Sequence, residues 1–195
     1  MSLLKKEITE KEYESTIVEE GFEKKSSMNR HKLINKNTKL LIVGTITPPD
    51  GVSFYYTSKY NKIYGYIDEA LGTNLKDKKK KLRECNSDDE RADIVKQMKK
   101  ELNQVGIAFI DVAKCVIRKK DSSYDDDIKH IVLDYKSFNI LSESQHVICN
   151  SKDAKECFDA ITNNRYKSEY LPQRCGKGTL GRKEEWINKL KEYTK

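Results

Sequence analysis

The chain has 195 residues, 35% of them charged and 36% hydrophobic, enough apolar material for one core but not for two independent domains. Its formal charge is +7, and its only prolines are Pro48, Pro49 and Pro172, which speaks against a disordered or linker-rich chain. No apolar run approaches the roughly 18–20 residues of a membrane helix, and Met1-Ser2-Leu3-Leu4-Lys5-Lys6 lacks a signal-peptide core, so a soluble, cytoplasmic protein is expected.

Residues 1–38 read as an N-terminal helical arm. A helix is expected over 8–26, with Tyr13, Ile17, Val18 and Phe22 as its apolar positions. The run Lys39-Leu40-Leu41-Ile42-Val43-Gly44 predicts a buried strand, followed by the turn-rich loop Thr45-Ile46-Thr47-Pro48-Pro49-Asp50-Gly51. An aromatic-rich stretch over 54–66 leads into a helix ending near Gly72. Residues 76–103 are strongly helical in propensity, and 76–100 read as a basic helical insertion in a single domain over 39–195.

Gly106 to Val112 predicts a second strand, with Asp111 near its C-terminal end. Residues 125–141 suggest a helix and the approach to a third strand, His146 to Asn150. A helix over 152–162 follows. Tyr170-Leu171-Pro172 is a candidate fourth strand, and a last helix is expected over 181–193. Unbroken apolar strands alternating with helices imply an α/β domain of three αβα layers around a short, mainly parallel four-stranded sheet. In such sheets ligands bind beyond the C-terminal strand ends, here the segments after Gly44, Asp111, Asn150 and Pro172. No Gly-x-Gly-x-x-Gly or Walker-type loop follows the first strand, which argues against dinucleotide and nucleoside-triphosphate sites.

The five cysteines form no Cys-x-x-Cys pair, and three histidines supply no zinc-type spacing; reduced, partly buried thiols are expected. The positive charge is uneven. Residues 76–100 hold ten basic against six acidic side chains and 165–195 hold nine against four, flanking a neutral-to-acidic middle. Such regions attract phosphate backbones, though lysine-rich helices are also often plain solvated faces.

The most informative stretch is 44–64. Phe54, Tyr55 and Tyr56 beside a strand-end loop suit stacking on a flat ring, and Asn61 suits a base edge or a water; core packing is the alternative for the aromatics. The spacing from Gly44 to Tyr55-Tyr56-Thr57-Ser58-Lys59-Tyr60-Asn61-Lys62-Ile63-Tyr64 resembles the first motif region of the uracil-DNA glycosylase superfamily, nearest its hypoxanthine (deoxyinosine) and mismatch-specific uracil branches. Gly106 to Val112, Ser123-Tyr124-Asp125-Asp126-Asp127-Ile128, Asn150-Ser151-Lys152-Asp153-Ala154 and Leu171-Pro172 resemble later motifs in the same order. Ser58-Lys59 replaces the His-Pro pattern. Ile46 stands where the best-known branches carry a water-positioning Asp or Asn. Gln173-Arg174-Cys175-Gly176-Lys177-Gly178 replaces the serine-containing last motif.

The resemblance implies a monofunctional DNA glycosylase of base-excision repair. It would hydrolyse the N-glycosidic bond of a flipped uracil- or hypoxanthine-type base, with no metal or cofactor and DNA as partner. A monomer is the expected state. Asn61 would orient water, with Asp111 as a second polar candidate. Ile46, Thr47, Pro48, Tyr55, Tyr56 and Asn150 would hold the base, with Tyr56 stacking on it. Gln173, Arg174 and Lys177 would contact the DNA backbone. The alternative is a catalytically inactive protein on the same fold that binds nucleic acid or a nucleobase.

Overall fold

The structure, a computed structural model, describes residues 2–28, 32–46, 54–122, 124–142, 145–172 and 180–195. After a short 3₁₀ turn over Leu3–Lys6, α1 spans Glu10–Ser15 and opens on a reciprocal capping box between Thr9 and Glu12. The long helix expected over 8–26 stops there. Gly21 takes a left-handed φ of 82°, and the chain turns into strand β1, Phe22–Ser26. The mixed-charge segment therefore ends as a strand, because its partner strand, far along the chain, offers a ladder that helix propensity alone does not reveal.

β2 covers Leu40–Gly44, with all five residues buried. α2 runs Ile63–Leu71 and closes at Gly72. The segment expected to be a basic helical insertion forms two helices, α3 over Leu75–Glu84 and α4 over Asp88–Gln104, the second started by Ser87 accepting from Glu90 N. Asp68 of α2 accepts from Leu75 N and Lys76 N, capping α3 from outside. β3 is Ile107–Asp111.

The chain then departs from expectation. β4 follows at once over Ala113–Lys119, and β5 spans Ile128–Leu133 in the segment expected to be helical. Ile128 and Ile131 share a helical spacing, but the β-branched run Ile131-Val132 favours a pleated strand once a neighbour is present. β6 is His146–Cys149, α5 is Lys152–Ile161, β7 is Ser168–Tyr170 and α6 is Leu180–Tyr193.

These strands form two sheets. The central one has the order β3-β2-β6-β7, and every pairing in it is parallel. Gly44 stands level with Asp111, and Val43 with Cys149, so the C-terminal ends of β2, β3 and β6 finish side by side. Helix α5 packs against β2, β6 and β7. Helix α2 places Tyr64 on Phe109 of β3, with ring centroids 5.8 Å apart, and packs in turn on α6. The three-layer arrangement with a four-stranded parallel sheet is thus present. The second sheet, antiparallel in the order β1-β4-β5, was not foreseen. It leaves the first where Val112 N and Ala113 N donate to Gly44 O and Thr45 O.

The core includes Trp186, Phe158, Phe109, Phe54, Tyr55 and Tyr64, all at most 2% exposed. Burying such rings is the dominant favourable contribution to the fold, at roughly 25 cal/mol per Å² of apolar area. Four described cysteines, Cys85, Cys115, Cys149 and Cys157, are free and buried, and burial pushes the Cys149 and Cys157 thiols up to about 12. Among the described residues, no helix is long and apolar enough to cross a membrane.

Candidate active site

A cavity of about 450 Å³ opens beyond the C-terminal ends of β2, β3 and β6, inside the usual range of roughly 300–1,000 Å³ for small-ligand sites. A parallel sheet puts it there because three strands end level and their connections diverge. Gly44 forms its floor. A methyl group at Gly44 would lie 2.9 Å from Tyr56 Oη, 3.1 Å from Asp111 Oδ1 and 3.6 Å from Asn150 Nδ2. Three polar groups from three segments therefore converge over one bare α-carbon.

Each group is held in place. Asn150 follows β6, its backbone N–H donates to Val43 O, and its Nδ2 donates to Tyr56 Oη at 3.3 Å. Asp111 ends β3, is 3% exposed, and accepts from Met28 N at 3.5 Å. Tyr56 has a left-handed φ of 52°, uncommon for a residue with a side chain. Its ring packs edge-on against Phe109 with centroids 4.8 Å apart. Burial, followed by the nearby Asp111, holds the Tyr56 hydroxyl well above its ordinary range, so it stays a proton donor at neutral pH.

The other expected residues fall as follows. Ile46 is 8% exposed and gives an apolar wall. Asn61 lines the cavity, but its Oδ1 accepts from Ile63 N at 3.0 Å, fixing the carboxamide to the first turn of α2. Tyr55 reaches the cavity at 2% exposure, and its ring packs on Phe54 and Phe109, so the core-packing alternative describes most of it. Tyr56 is 8% exposed, lines the cavity and brings its hydroxyl over Gly44, with its ring edge-on to Phe109. Thr47, Pro48, Gln173, Arg174 and Lys177 lie outside the described residues.

A second carboxylate, outside the expected set, also reaches the cavity. Asp125, in the β4–β5 connection, lines the same cavity and accepts from Thr45 Oγ1 at 2.8 Å. Thr45 Oγ1 lies 3.2 Å from Ser151 Oγ, and Ser151 caps α5 by accepting from Ala154 N. The positive end of α5 therefore faces the cavity. Burial raises the Asp125 carboxyl above its ordinary value, against hydrogen bonds from Thr45 and Ser151 that lower it. Arg118, 1% exposed, reaches Tyr124 O at 3.4 Å and underpins this connection. The signal was present in the Ser123-to-Ile128 motif, but only the second sheet carries it to Thr45.

Three of the exposed aromatic side chains also surround this cavity: Tyr60 at 73%, Tyr124 at 65% and Tyr170 at 40%.

The raised Asp125 carboxyl has a consequence for stability. A folded-state value above the unfolded one means that ionisation costs stability, a penalty absent at low pH and present once pH has risen through the folded value. Asp125→Asn is therefore expected to be more stable than the wild type at pH 7, with the difference vanishing near pH 3. Thermal melts of both proteins across that range check it; an equal gain at both pH values would count against the ionisation account.

No family model matches the chain, and no curated protein matches it in sequence. Among solved structures, it is similar to the solution structure of a "putative Uracil DNA glycosylase" from Methanosarcina acetivorans, at 19% identity, with a TM-score of 0.56 over 83% of this chain and 94% of that one. The likeness shows the fold alone: an α/β domain on a four-stranded parallel sheet.

Proposed function

We propose that the protein is a monofunctional DNA glycosylase that hydrolyses the N-glycosidic bond of a flipped base. The observation that carries the reading is the convergence of Tyr56 Oη, Asp111 Oδ1 and Asn150 Nδ2 over Gly44 at the strand ends, on a fold shared with a protein named for that activity. Motif order along 44–172 supports the same reading.

The chemistry asks for few groups. A base leaves as an anion, and hydrogen-bond donors aimed at it lower the barrier. Asn150 Nδ2 and the Tyr56 hydroxyl are such donors, and the α5 N-terminus adds positive potential. The sugar becomes oxocarbenium-like, which a nearby carboxylate stabilises. Asp111 takes that role, with Asp125 accepting a proton from the attacking water. Water oxygen bonds to C1′, the C1′–N bond breaks with its electron pair leaving on the base, and the base is then protonated. Asn61 and Ile46 shape the wall. Extruding the base costs a few kcal/mol, least for a mismatched or unpaired one.

The test uses purified protein with single-stranded and duplex oligonucleotides carrying uracil, hypoxanthine or xanthine, scoring abasic sites by alkaline cleavage. Release from at least one substrate is expected, and its loss in Asp111→Asn. No release from any of them overturns the reading. Ile46 at the position of a polar residue favours one rival, a binding protein without turnover. That rival predicts oligonucleotide affinity with no release.

A further inference from the structure

The helical insertion builds a second concavity next to the candidate active site. A groove of about 1210 Å³ lies between the 59–62 loop, α2, α3 and Lys183 of α6, and it shares Asn61 and Lys62 with the cavity. Its wall is strongly basic. Lys62, Lys76 and Lys80 are exposed along it. Of the acidic residues there, Asp68 is occupied in capping α3, and Glu69 pairs with Lys183 at 2.7 Å. That leaves Glu84 facing a lysine-rich surface.

α3 also holds the loop that joins the two spaces. Lys79 Nζ donates to Asn61 O at 2.6 Å, and Arg83 Nη1 donates to Thr57 O at 2.8 Å. The loop between these anchors carries Tyr60, 73% exposed at the cavity rim beside the groove. A cationic track beside an exposed aromatic face is the combination that holds a single nucleic-acid strand, whose bases are free to stack. In a duplex those faces are already stacked, and Tyr60 would find no partner.

We propose that this groove binds single-stranded DNA, with phosphates on Lys62, Lys76 and Lys80 and a base stacked on Tyr60, so that the adjoining nucleotide enters the cavity. That the strand is DNA rests on the glycosylase reading; the preference for one strand rests on the groove itself.

The experiment is fluorescence anisotropy with an undamaged twenty-nucleotide oligothymidylate, the matching duplex and an oligouridylate, each over a salt series. The single DNA strand is expected to bind at least 10-fold tighter than the duplex. The combined Lys62→Glu, Lys76→Glu and Lys80→Glu variant should weaken it at least 10-fold and flatten the slope of log affinity against log salt by about 0.7 per lost contact. Tyr60→Ala should weaken the single strand about 5- to 100-fold and leave the duplex unchanged. Circular dichroism melts confirm folding, and Lys76→Glu alone replaces the triple variant should that variant not fold. Unchanged affinity in the charge variants, or equal binding of strand and duplex, overturns the proposal. Tighter binding of the oligouridylate overturns the DNA assignment. These probes carry no lesion, so the two tests separate: groove binding here with no release from the lesion-bearing oligonucleotides would refute the glycosylase reading alone, and release from those with no groove binding here would refute this proposal alone.

Discussion

Gly44→Ala is expected to lower base release about 100-fold, equivalent to roughly 2.7 kcal/mol of transition-state stabilisation, while leaving a folded protein. The added methyl would stand 2.9 Å from Tyr56 Oη and 3.1 Å from Asp111 Oδ1. The first contact is closer than a Cβ is found to any heavy atom, so the Tyr56 hydroxyl must shift, and the second obliges Asp111 to give by a few tenths of an ångström. Tyr56 has little room to do so, because its ring is set against Phe109 and its backbone holds a left-handed φ. Asp111 is in register with Gly44 on the neighbouring strand, and its side chain is buried. The methyl would also occupy the floor of the cavity. Single-turnover release rates together with a thermal melt provide the measurement. Wild-type activity in Gly44→Ala would show that the reacting base does not sit over this α-carbon. Loss of activity together with loss of the cooperative melt would show only an unfolded protein; Asp111→Asn, which adds no volume, would then carry the test.

Phe109→Ala is expected to have the largest effect on stability, about 3–5 kcal/mol. At roughly 2–4 °C per kcal/mol for a chain of this size, that is a fall in Tm of about 6–20 °C. Phe109 is 1% exposed at the centre of β3, an edge strand of the central sheet covered by α2. Its ring meets Tyr55, Tyr56 and Tyr64 at centroid distances of 6.0, 4.8 and 5.8 Å. Truncation would leave a cavity under three aromatics at once, and they are poorly able to collapse because the Tyr64 hydroxyl is tied to Tyr55 O at 2.6 Å. The same ring supports Tyr56, so activity should fall in whatever fraction remains folded. Phe109→Leu keeps most of the volume and should cost less than about 1.5 kcal/mol. Calorimetry of both variants separates the packing loss from the aromatic support: if they destabilise equally, ring contacts matter more than volume.

How far the sequence leads depends on burial. β2 and β6 are legible because strands covered on both faces read as unbroken apolar runs. α5 and α6 are legible from helical spacing, and α2 from its glycine end. β1, β4 and β5 are not, since charged residues interrupt each of them: Phe22-Glu23-Lys24-Lys25-Ser26 has no strand alternation to follow until it lies against Lys119 to Cys115, and Lys114, Arg118 and Lys129 break the apolar runs of β4 and β5. Strand character there comes from the neighbour and not from the segment.

The candidate site divides along the same line. Asn61, Asp111 and Asn150 are legible as candidates because each lies at or near the end of a legible strand or the start of a legible helix, and Tyr56 because it stands in the aromatic cluster 54–56; all four line one cavity. What each side chain does there is not. Asn61 spends its carboxamide oxygen on Ile63 N, a local turn at the start of α2, whereas Tyr56 sets its ring on Phe109 and its hydroxyl beside Asn150, neighbours distant in sequence. Asp125 reaches Thr45 across 80 residues only because the second sheet folds the β4–β5 connection back onto the strand ends. The positive charge shows the same division. Composition alone located a lysine-rich insertion, whereas its meeting with an aromatic rim along one groove was decided by the packing of α3 on the 57–61 loop. Local periodicity records which residues must be buried; only tertiary packing chooses the partners, and here the partners set the chemistry.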